Sequence, residues 1–381
     1  MPPRRILHVV GGMNPGGAET WLMNVLRGID REQFRLDFLV HTAEPGAFDD
    51  EIRAHGSELY RCTRIQRPMT YSRDFRHTLA AAGPFDAIHS HVHHYSGFIL
   101  RLAAKLGIRQ RIAHSHTDWD GVPAQSRRTL SRRIYLAAMK RWIKSFATCG
   151  LACSKKAAAV LFGTRWSTDP RWRVLYCGID IARFELQDVE RDGYTPIRKA
   201  LGIPEGAFVL GHVGRFDQAK NQTFVVDVAR QAMQRDPHTY VLFVGEGPLL
   251  TEVKNKVAAF GMSNHVLFLG NRRDVPELMI GAMDFFLFPS QHEGLGLAYV
   301  ESQAAGLPSL VSQAIPEDAD IIQRLVQRIS LSESAEVWAD AVFQRKNTPR
   351  RVAECQRLVA ASPFNLRQSI AALEAIYAHS T

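Results

Sequence analysis

Two glutamates, Glu293 and Glu301, bracket a glycine-bearing stretch, Glu293-Gly294-Leu295-Gly296-Leu297-Ala298-Tyr299-Val300-Glu301. Gly294 and Gly296 open a predicted helix that Gly306 and Pro308 close. One acid then lies in the loop and the other about two turns down the helix. The pair can reach different parts of one extended ligand while the helix N-terminus faces its phosphates. A second cluster, Gly214-Arg215-Phe216-Asp217-Gln218-Ala219-Lys220-Asn221-Gln222, sets two cations at a helix N-terminus, where the macrodipole disfavours positive charge. A bound diphosphate would offset that cost, gripped by Arg215 as a fork and by Lys220 as a point charge. Solvated cations with Asp217 as counter-charge are the plainer alternative. A third, Gly11-Gly12-Met13-Asn14-Pro15-Gly16-Gly17-Ala18-Glu19, places glycines where backbone N–H groups can meet an anion. It is neither G-x-G-x-x-G nor a Walker A loop, and a tight turn explains it equally well.

Histidines form a fourth group: His89, His91, His93, His94, His114 and His116. The H-x-H spacing puts two imidazoles on one face of a strand, which invites a metal. No C-x-x-C or H-E-x-x-H accompanies them, and the D-x-D triplets Asp118–Asp120 and Asp318–Asp320 are of a kind chance supplies often. The expectation is no metal. His116 is expected at a strand end facing a ligand, with most of the other histidines structural.

These clusters need elements to hold them. Arg5–Val10, Leu36–His41, Ala87–Ser90 and Arg111–His114 read as strands separated by helical patterns such as Glu19–Ile29. The series restarts with Phe208–Val213, then Gln222–Gln234 as helix, then strands Tyr240–Val244, Val266–Leu269, Phe285–Phe288 and Ser309–Val311. Such alternation predicts βαβ units and two α/β domains with parallel sheets. Ligands of such sheets bind outside the carboxyl ends of the strands, where the clusters fall. The polar stretch Ile181–Thr195 reads as the boundary, and Pro363–His379 as a final amphipathic helix.

The chain of 381 residues is 46% hydrophobic and 22% charged, a globular composition. No apolar run approaches the ~18 residues that span a bilayer. The apolar stretch after Arg4-Arg5 ends at Gly11, short of the about 7–15 residues of a secretory signal, which predicts a cytoplasmic first strand. Five cysteines without C-x-x-C spacing fit a reducing compartment. The net charge of +9 is uneven: residues 1–185 hold 28 Lys/Arg against 16 Asp/Glu, and the remainder 19 against 22. An anionic partner is therefore a question for the first half. Within it, Arg127 to Phe146 gathers Tyr135, Leu136, Met139, Trp142, Ile143 and Phe146 on one helical face and Arg133, Lys140, Arg141 and Lys144 on the other. That is the pattern of a helix lying on an anionic membrane, or of an ordinary helix packed inward.

Taken together, the motifs resemble glycosyltransferase family 4, retaining nucleotide-sugar-dependent enzymes of GT-B fold. The likeness runs nearly end to end, through GGMNPGGAET, IHSH, RIAHSH, VLYCGIDIARF, GHVGRFDQAKNQ, VGEGPL, VLFLGNRRDVPELM and FPSQHEGLGLAYVESQAAGLP. It implies two Rossmann-like parallel-sheet domains facing across a cleft. The expected division is an acceptor-binding domain 1–185, a nucleotide-sugar domain 186–361 and a helix 362–381 packing back on the first. The resemblance also implies roles. Gly16 and Gly17 would line the cleft near the distal phosphate, and His116 would sit beside the transferred sugar. Arg215 and Lys220 would neutralise the diphosphate, and Glu293 would contact the sugar hydroxyls. Gly294, Leu295, Gly296 and Leu297 would offer backbone N–H groups, Glu301 would bind the ribose, and Gly270 and Asn271 would hold the base edge. No metal or cofactor is implied. The donor is a UDP-sugar by preference, or a GDP-sugar; the acceptor is a glycan or a polyprenyl-diphosphate-linked sugar.

The chain departs from the family after Gly306. SLVSQAIPEDADI keeps Ile315-Pro316-Glu317 but lacks the usual glycine-rich turn, and with HSHVHHYSGFILRLAAKLGI it resembles a subgroup of bacterial exopolysaccharide synthesis. A peripheral position on the inner face of the cell membrane fits this reading. Two other classes stand beside it. A basic nucleic-acid-binding protein would need an RRM, KH or helix-turn-helix signature, which is lacking. A phosphorylase or epimerase on the same scaffold remains open, because fold alone does not fix function.

Overall fold

The computed structural model describes residues 2–118, 129–184 and 196–379, and the chain divides into two compact units. Unit 1 comprises Met1–Gly178 with Leu366–Thr381, and unit 2 comprises Ile179–Asn365.

In unit 1 the strands are β1 (Arg4–Val10), β2 (Phe34–Val40), β3 (Leu59–Arg61), β4 (Ala87–Ser90), β5 (Gln110–Ser115), β6 (Cys149–Ala152) and β7 (Trp172–Val174). They form one sheet in the order β3-β2-β1-β4-β5-β6-β7, every pair parallel. In unit 2 they are β8 (Phe208–Val213), β9 (Thr239–Val244), β10 (Val266–Phe268), β11 (Phe285–Phe288), β12 (Ser309–Ser312) and β13 (Val326–Ile329). That sheet runs β10-β9-β8-β11-β12-β13, again all parallel. Each sheet starts in its middle, builds outward to one edge, then returns to build the other. The order therefore reverses between β1 and β4 in unit 1 and between β8 and β11 in unit 2. Such a reversal leaves a crevice at the strands' carboxyl ends, the place where open α/β sheets hold ligands.

The sequence forms these sheets because their central strands are apolar on both faces, as parallel strands covered by helices must be. All four residues of β11 are buried, and Leu210, Val241, Phe243, Phe285 and Leu287 join Val225, Val226 and Trp338 in the core of unit 2. Leu7, Val9, Leu39, Ile88 and Ala113 form the corresponding core of unit 1 with Tyr71, Phe75 and Ile99. β4, β8 and β11 have the bounds their composition predicts. β3, β6, β7 and β13 were not expected. They run to three or four residues each, and β6 reads Cys-Gly-Leu-Ala, which carries little strand propensity of its own.

The chain leaves unit 1 after Gly178, ahead of the Ile181–Thr195 stretch expected as the boundary, of which residues 185–195 lie outside the described residues. Ile179 already belongs to unit 2, its N–H donating to Phe364 O at 2.8 Å. The helix Leu366–Ala378 belongs to unit 1, burying Ser369, Ile370, Leu373 and Tyr377. Trp21 Nε1 donates to Ser369 Oγ at 3.2 Å, and Gln110 Nε2 donates to Ile376 O at 2.6 Å.

The basic helix spans Leu130–Phe146, and residues 119–128, including Arg127 and Arg128, lie outside the described residues. Met139 and Ile143 are buried on its inner side, where Gly97 admits the backbone of Met139. Trp142 stacks under the Arg101 guanidinium at 4.5 Å. Most of the apolar face expected to meet a membrane is thus turned inward. Arg133, Lys140, Arg141 and Lys144 are exposed, with Leu130 and Ile134 beside them in the first turns. Among the described residues no helix is long and apolar enough to cross a membrane.

Candidate functional site

In unit 2 the loops after β8 and β11 lie on either side of the reversal in strand order, and hydrogen bonds tie them together. Gln291 N donates to Ala219 O at 2.7 Å, and Asn221 Nδ2 donates to Pro289 O at 3.2 Å. Asn221 takes the left-handed conformation (φ 57°), so the helix Gln222–Arg235 begins directly beneath Lys220. The Lys220 ammonium pairs with the Glu293 carboxylate and lies 5.2 Å from the centre of the Phe288 ring. Glu293 is only 8% exposed, so the Lys220 ammonium compensates a carboxylate largely withdrawn from water. The two charged residues singled out 73 positions apart therefore meet in one ion pair.

Arg215 precedes Phe216, which is fully buried against Phe243 and Phe268. That anchor leaves the Arg215 side chain exposed on the loop. Gly247 makes the anchor possible, since a Cβ there would sit 2.7 Å from Phe216 N. Asn271 Nδ2 donates to Glu246 Oε2 at 3.2 Å, and Gly270 accepts from Gly245 N–H at 2.8 Å, which ties the β9 and β10 loops together. Glu246, within the VGEGPL stretch, is a candidate that was not singled out from the sequence.

The helix after β11 is Leu297–Ala304, opened by Gly296 in the left-handed region (φ 88°). Glu293 lies four residues ahead of the helix's first residue, and the intervening Gly294, Leu295 and Gly296 are buried. Glu301 lies just over one turn into the helix, a turn less than expected, because the helix starts at Leu297. Burial pushes its carboxyl up to about 7, opposed by Arg183. Asp320 of the second D-x-D triplet is committed to structure, accepting from Tyr299 Oη at 2.9 Å and pairing with Arg328 at 2.7 Å.

In unit 1, Gly16 caps the helix Gly17–Gly28 in extended conformation, with the Glu19 carboxylate close beside it. His116 follows β5 directly. It ends a hydrogen-bonded chain that the sequence reading did not foresee. His114 Nδ1 lies 3.1 Å from His89 Nε2, and His89 Nδ1 lies 2.6 Å from Tyr377 Oη. Tyr377 Oη lies 3.2 Å from His8 Nε2, and His8 Nδ1 lies 2.9 Å from His91 Nε2. His91 Nδ1 lies 2.8 Å from His116 Nε2, and His116 Nδ1 contacts Cys177 Sγ at 3.8 Å. Burial holds all five imidazoles below their ordinary pKa, His8 and His116 at about 3, so they are neutral. The H-x-H spacing was the available signal for four of them. His8 sits opposite His89 in the β1–β4 register, and Tyr377 arrives from the final helix. Asp118 is taken by Lys156 at 2.9 Å.

Comparison with known proteins decides the family. Residues 15–183 match the model "Glycosyltransferase Family 4", and residues 194–356 match "Glycosyl transferases group 1". The chain is 34% identical to the putative glycosyltransferase EpsF of Bacillus subtilis, over 99% of this chain and 97% of that protein. The chain is a family 4 glycosyltransferase. This glycosyltransferase is also 26% identical, over 77% of its length and 78% of the other's, to an Escherichia coli enzyme named UDP-Gal:alpha-D-GlcNAc-diphosphoundecaprenol alpha-1,3-galactosyltransferase. The crystal structure of HepE from Anabaena in complex with UDP-glucose matches it with a TM-score of 0.78, 20% identity, 97% of this chain and 99% of that one. The likeness shows the fold, GT-B, with two Rossmann-like parallel-sheet domains. Family membership makes the chain a glycosyltransferase by class, in place of the alternative of a nucleic-acid-binding α/β protein.

Proposed function

We propose that the enzyme transfers a hexosyl unit from a nucleotide diphosphate sugar to a glycan or polyprenyl-diphosphate-linked acceptor, with retention, in the synthesis of an exopolysaccharide or other cell-surface glycan. The observation that carries this reading is the Lys220–Glu293 pair at the strand-order reversal of unit 2, beside the N-terminus of the Leu297–Ala304 helix. Breaking a glycosyl–diphosphate bond builds negative charge on the leaving group. Fixed cations and helix-terminal N–H groups stabilise that charge without reorganising. Lys220 and exposed Arg215 supply the cations, and Gly294, Leu295, Gly296 and Leu297 supply the N–H groups. Release of Lys220 to the diphosphate frees Glu293 to accept from sugar hydroxyls. Glu301 binds the ribose, and Gly270 and Asn271 meet the base edge. Gly16, Gly17 and His116 of unit 1 serve the distal phosphate and the transferred sugar. Transfer by this machinery needs no metal.

A UDP-sugar is the favoured donor, supported by the UDP-glucose named with HepE and the UDP-Gal named with the Escherichia coli relative. The latter's diphosphoundecaprenol acceptor supports the lipid-linked reading here. The exposed cations and apolar first turns of the Leu130–Phe146 helix would meet an anionic membrane holding such acceptors. Screening UDP-, GDP- and ADP-sugars for thermal stabilisation and slow hydrolysis tests the donor. Stabilisation by a UDP-sugar with release of UDP is expected, and indifference to all three classes would sink the proposal. Sedimentation with anionic vesicles, lost at high salt, tests the membrane contact; indifference at low salt removes it.

A further inference from the structure

We propose that His91, His114 and His116 form a binding site for a transition-metal dication of the zinc class, with His8, His89, Tyr377 and Cys177 as its outer shell. Parallel strands carry the three ligands. His114 lies on β5, His91 and His116 directly follow β4 and β5, and the β4–β5 register pairs Ser90 with Ala113. The two-residue period then sets the imidazoles on one face of the sheet. One nitrogen from each of the three lies within 4.8 Å of the others.

Two features make this more than proximity. First, His114 is fully buried, and its Nε2 has no hydrogen-bond partner. A buried polar atom in that state calls for a ligand. Second, one set of tautomers gives the second nitrogen of each ligand a hydrogen-bond partner. If His91 Nδ1, His114 Nε2 and His116 Nε2 turn lone pairs to the cation, their other nitrogens carry the protons. His91 Nε2–H donates to His8 Nδ1, His114 Nδ1–H to His89 Nε2, and His116 Nδ1–H to Cys177 Sγ. His8 Nε2–H and His89 Nδ1–H then both donate to the Tyr377 oxygen, which has two lone pairs. Each ligand thus donates its second nitrogen to a partner, as metal-bound histidines do. No imidazole changes charge, and no proton leaves the network.

Without the cation, one proton bridges His91 Nδ1 and His116 Nε2 at 2.8 Å. Tetrahedral zinc holds its nitrogens at ~2.0–2.1 Å, so roughly half an ångström of separation admits the ion. His91 and His116 are half-buried, which leaves a fourth position for water. Three histidines with one open position is an established zinc arrangement. Occupancy engages both nitrogens of His116 and so competes with its contact to the donor sugar. That consequence rests on the function proposed above; the binding does not.

The test titrates the metal-stripped full chain with Co2+ and then Zn2+. One equivalent of Co2+ is expected to give the visible absorption of a tetrahedral nitrogen-ligated site, displaced by Zn2+. His114→Phe loses it, while His265→Ala in unit 2 keeps it. His8→Phe, which removes an outer-shell acceptor, weakens binding by roughly 10–100-fold. Circular dichroism confirms folding of each variant, and zinc-edge X-ray absorption of the wild type reports imidazole ligands independently of them. Uptake below one equivalent, or uptake unchanged in folded His114→Phe, overturns the site. Tight zinc binding here with undiminished transfer supports the site and instead refutes the placement of His116 beside the sugar.

Discussion

For Lys220 to reach a diphosphate, its ammonium has to leave the Glu293 carboxylate, and the two residues therefore answer differently to substitution. Lys220→Ala strands a carboxylate that is 8% exposed, at an expected cost of about 1–3 kcal/mol in urea unfolding of unit 2. Glu293→Gln keeps a neutral hydrogen-bonding group there and changes stability little. Both are expected to lower the transfer rate about 100-fold or more, the scale of losing one preorganised electrostatic contact. Wild-type turnover in both would remove this pair from the reaction. Glu301 offers a second reading at the same scale. Its carboxyl is raised to about 7, so ionising it between its ordinary value and 7 works against the fold. Glu301→Gln is therefore expected to raise the melting temperature at pH 8 relative to wild type. Wild-type affinity for UDP should fall as pH drops through about 7, where the carboxylate that accepts from ribose is lost, and the Gln variant should bind weakly without that pH dependence. Isothermal titration across pH 6–8 reads both. Glu293, Lys220 and Glu301 were legible as chemistry because each sits in a loop or first turns marked by glycine. Their pairing was not, since 73 residues separate the two partners of the ion pair.

At the scale of elements, the helix Leu366–Ala378 completes the histidine ladder of β1, β4 and β5. Tyr377→Phe removes the group on which His8 and His89 converge. Each stranded imidazole nitrogen costs about 1–3 kcal/mol. The unfolding midpoint of unit 1 should drop while that of unit 2 stays, as read by domain-resolved hydrogen exchange. The ladder also sets an acid limit. His8, His89, His91, His114 and His116 are held neutral by burial, so the unfolded chain binds protons that the folded one refuses once pH falls below about 6.5. Their stabilisation is complete above that value and is lost as pH falls toward 3. Urea midpoints taken from pH 7.5 to 5 should decline with a slope of several protons, and a flat profile would contradict the burial. The central strands were readable because Phe285–Phe288 and Phe208–Val213 are continuous apolar runs. β6 and β7 were not, because Cys149–Ala152 and Trp172–Val174 are strands by virtue of the neighbours that pair with them. The same limit hid Tyr377, whose partners lie 288 and 369 positions away and leave no periodic trace.

At the scale of the molecule, the two units differ in charge as they do in expected task. The basic excess belongs to residues 1–185, whereas the remainder holds 19 Lys/Arg against 22 Asp/Glu. A nucleotide that binds unit 2 alone should stabilise that unit by about 2.7 kcal/mol at a hundred times its dissociation constant. UMP, which lacks the distal phosphate assigned to Gly16 and Gly17, should therefore raise one calorimetric transition and leave the other in place, whereas equal shifts would mean the nucleotide engages both. The chain's itinerary carries a further consequence. Unit 2 is spliced into unit 1, between Gly178 and Leu366. A ribosome thus finishes every residue of unit 2 before it makes the helix that seals unit 1. During synthesis the nascent first sheet must wait, its histidines still lacking Tyr377, while a whole second domain is born and folds. Chaperone demand should accordingly fall on the unsealed first domain, and a released chain truncated after residue 365 should show a second domain that resists protease while its first is cut.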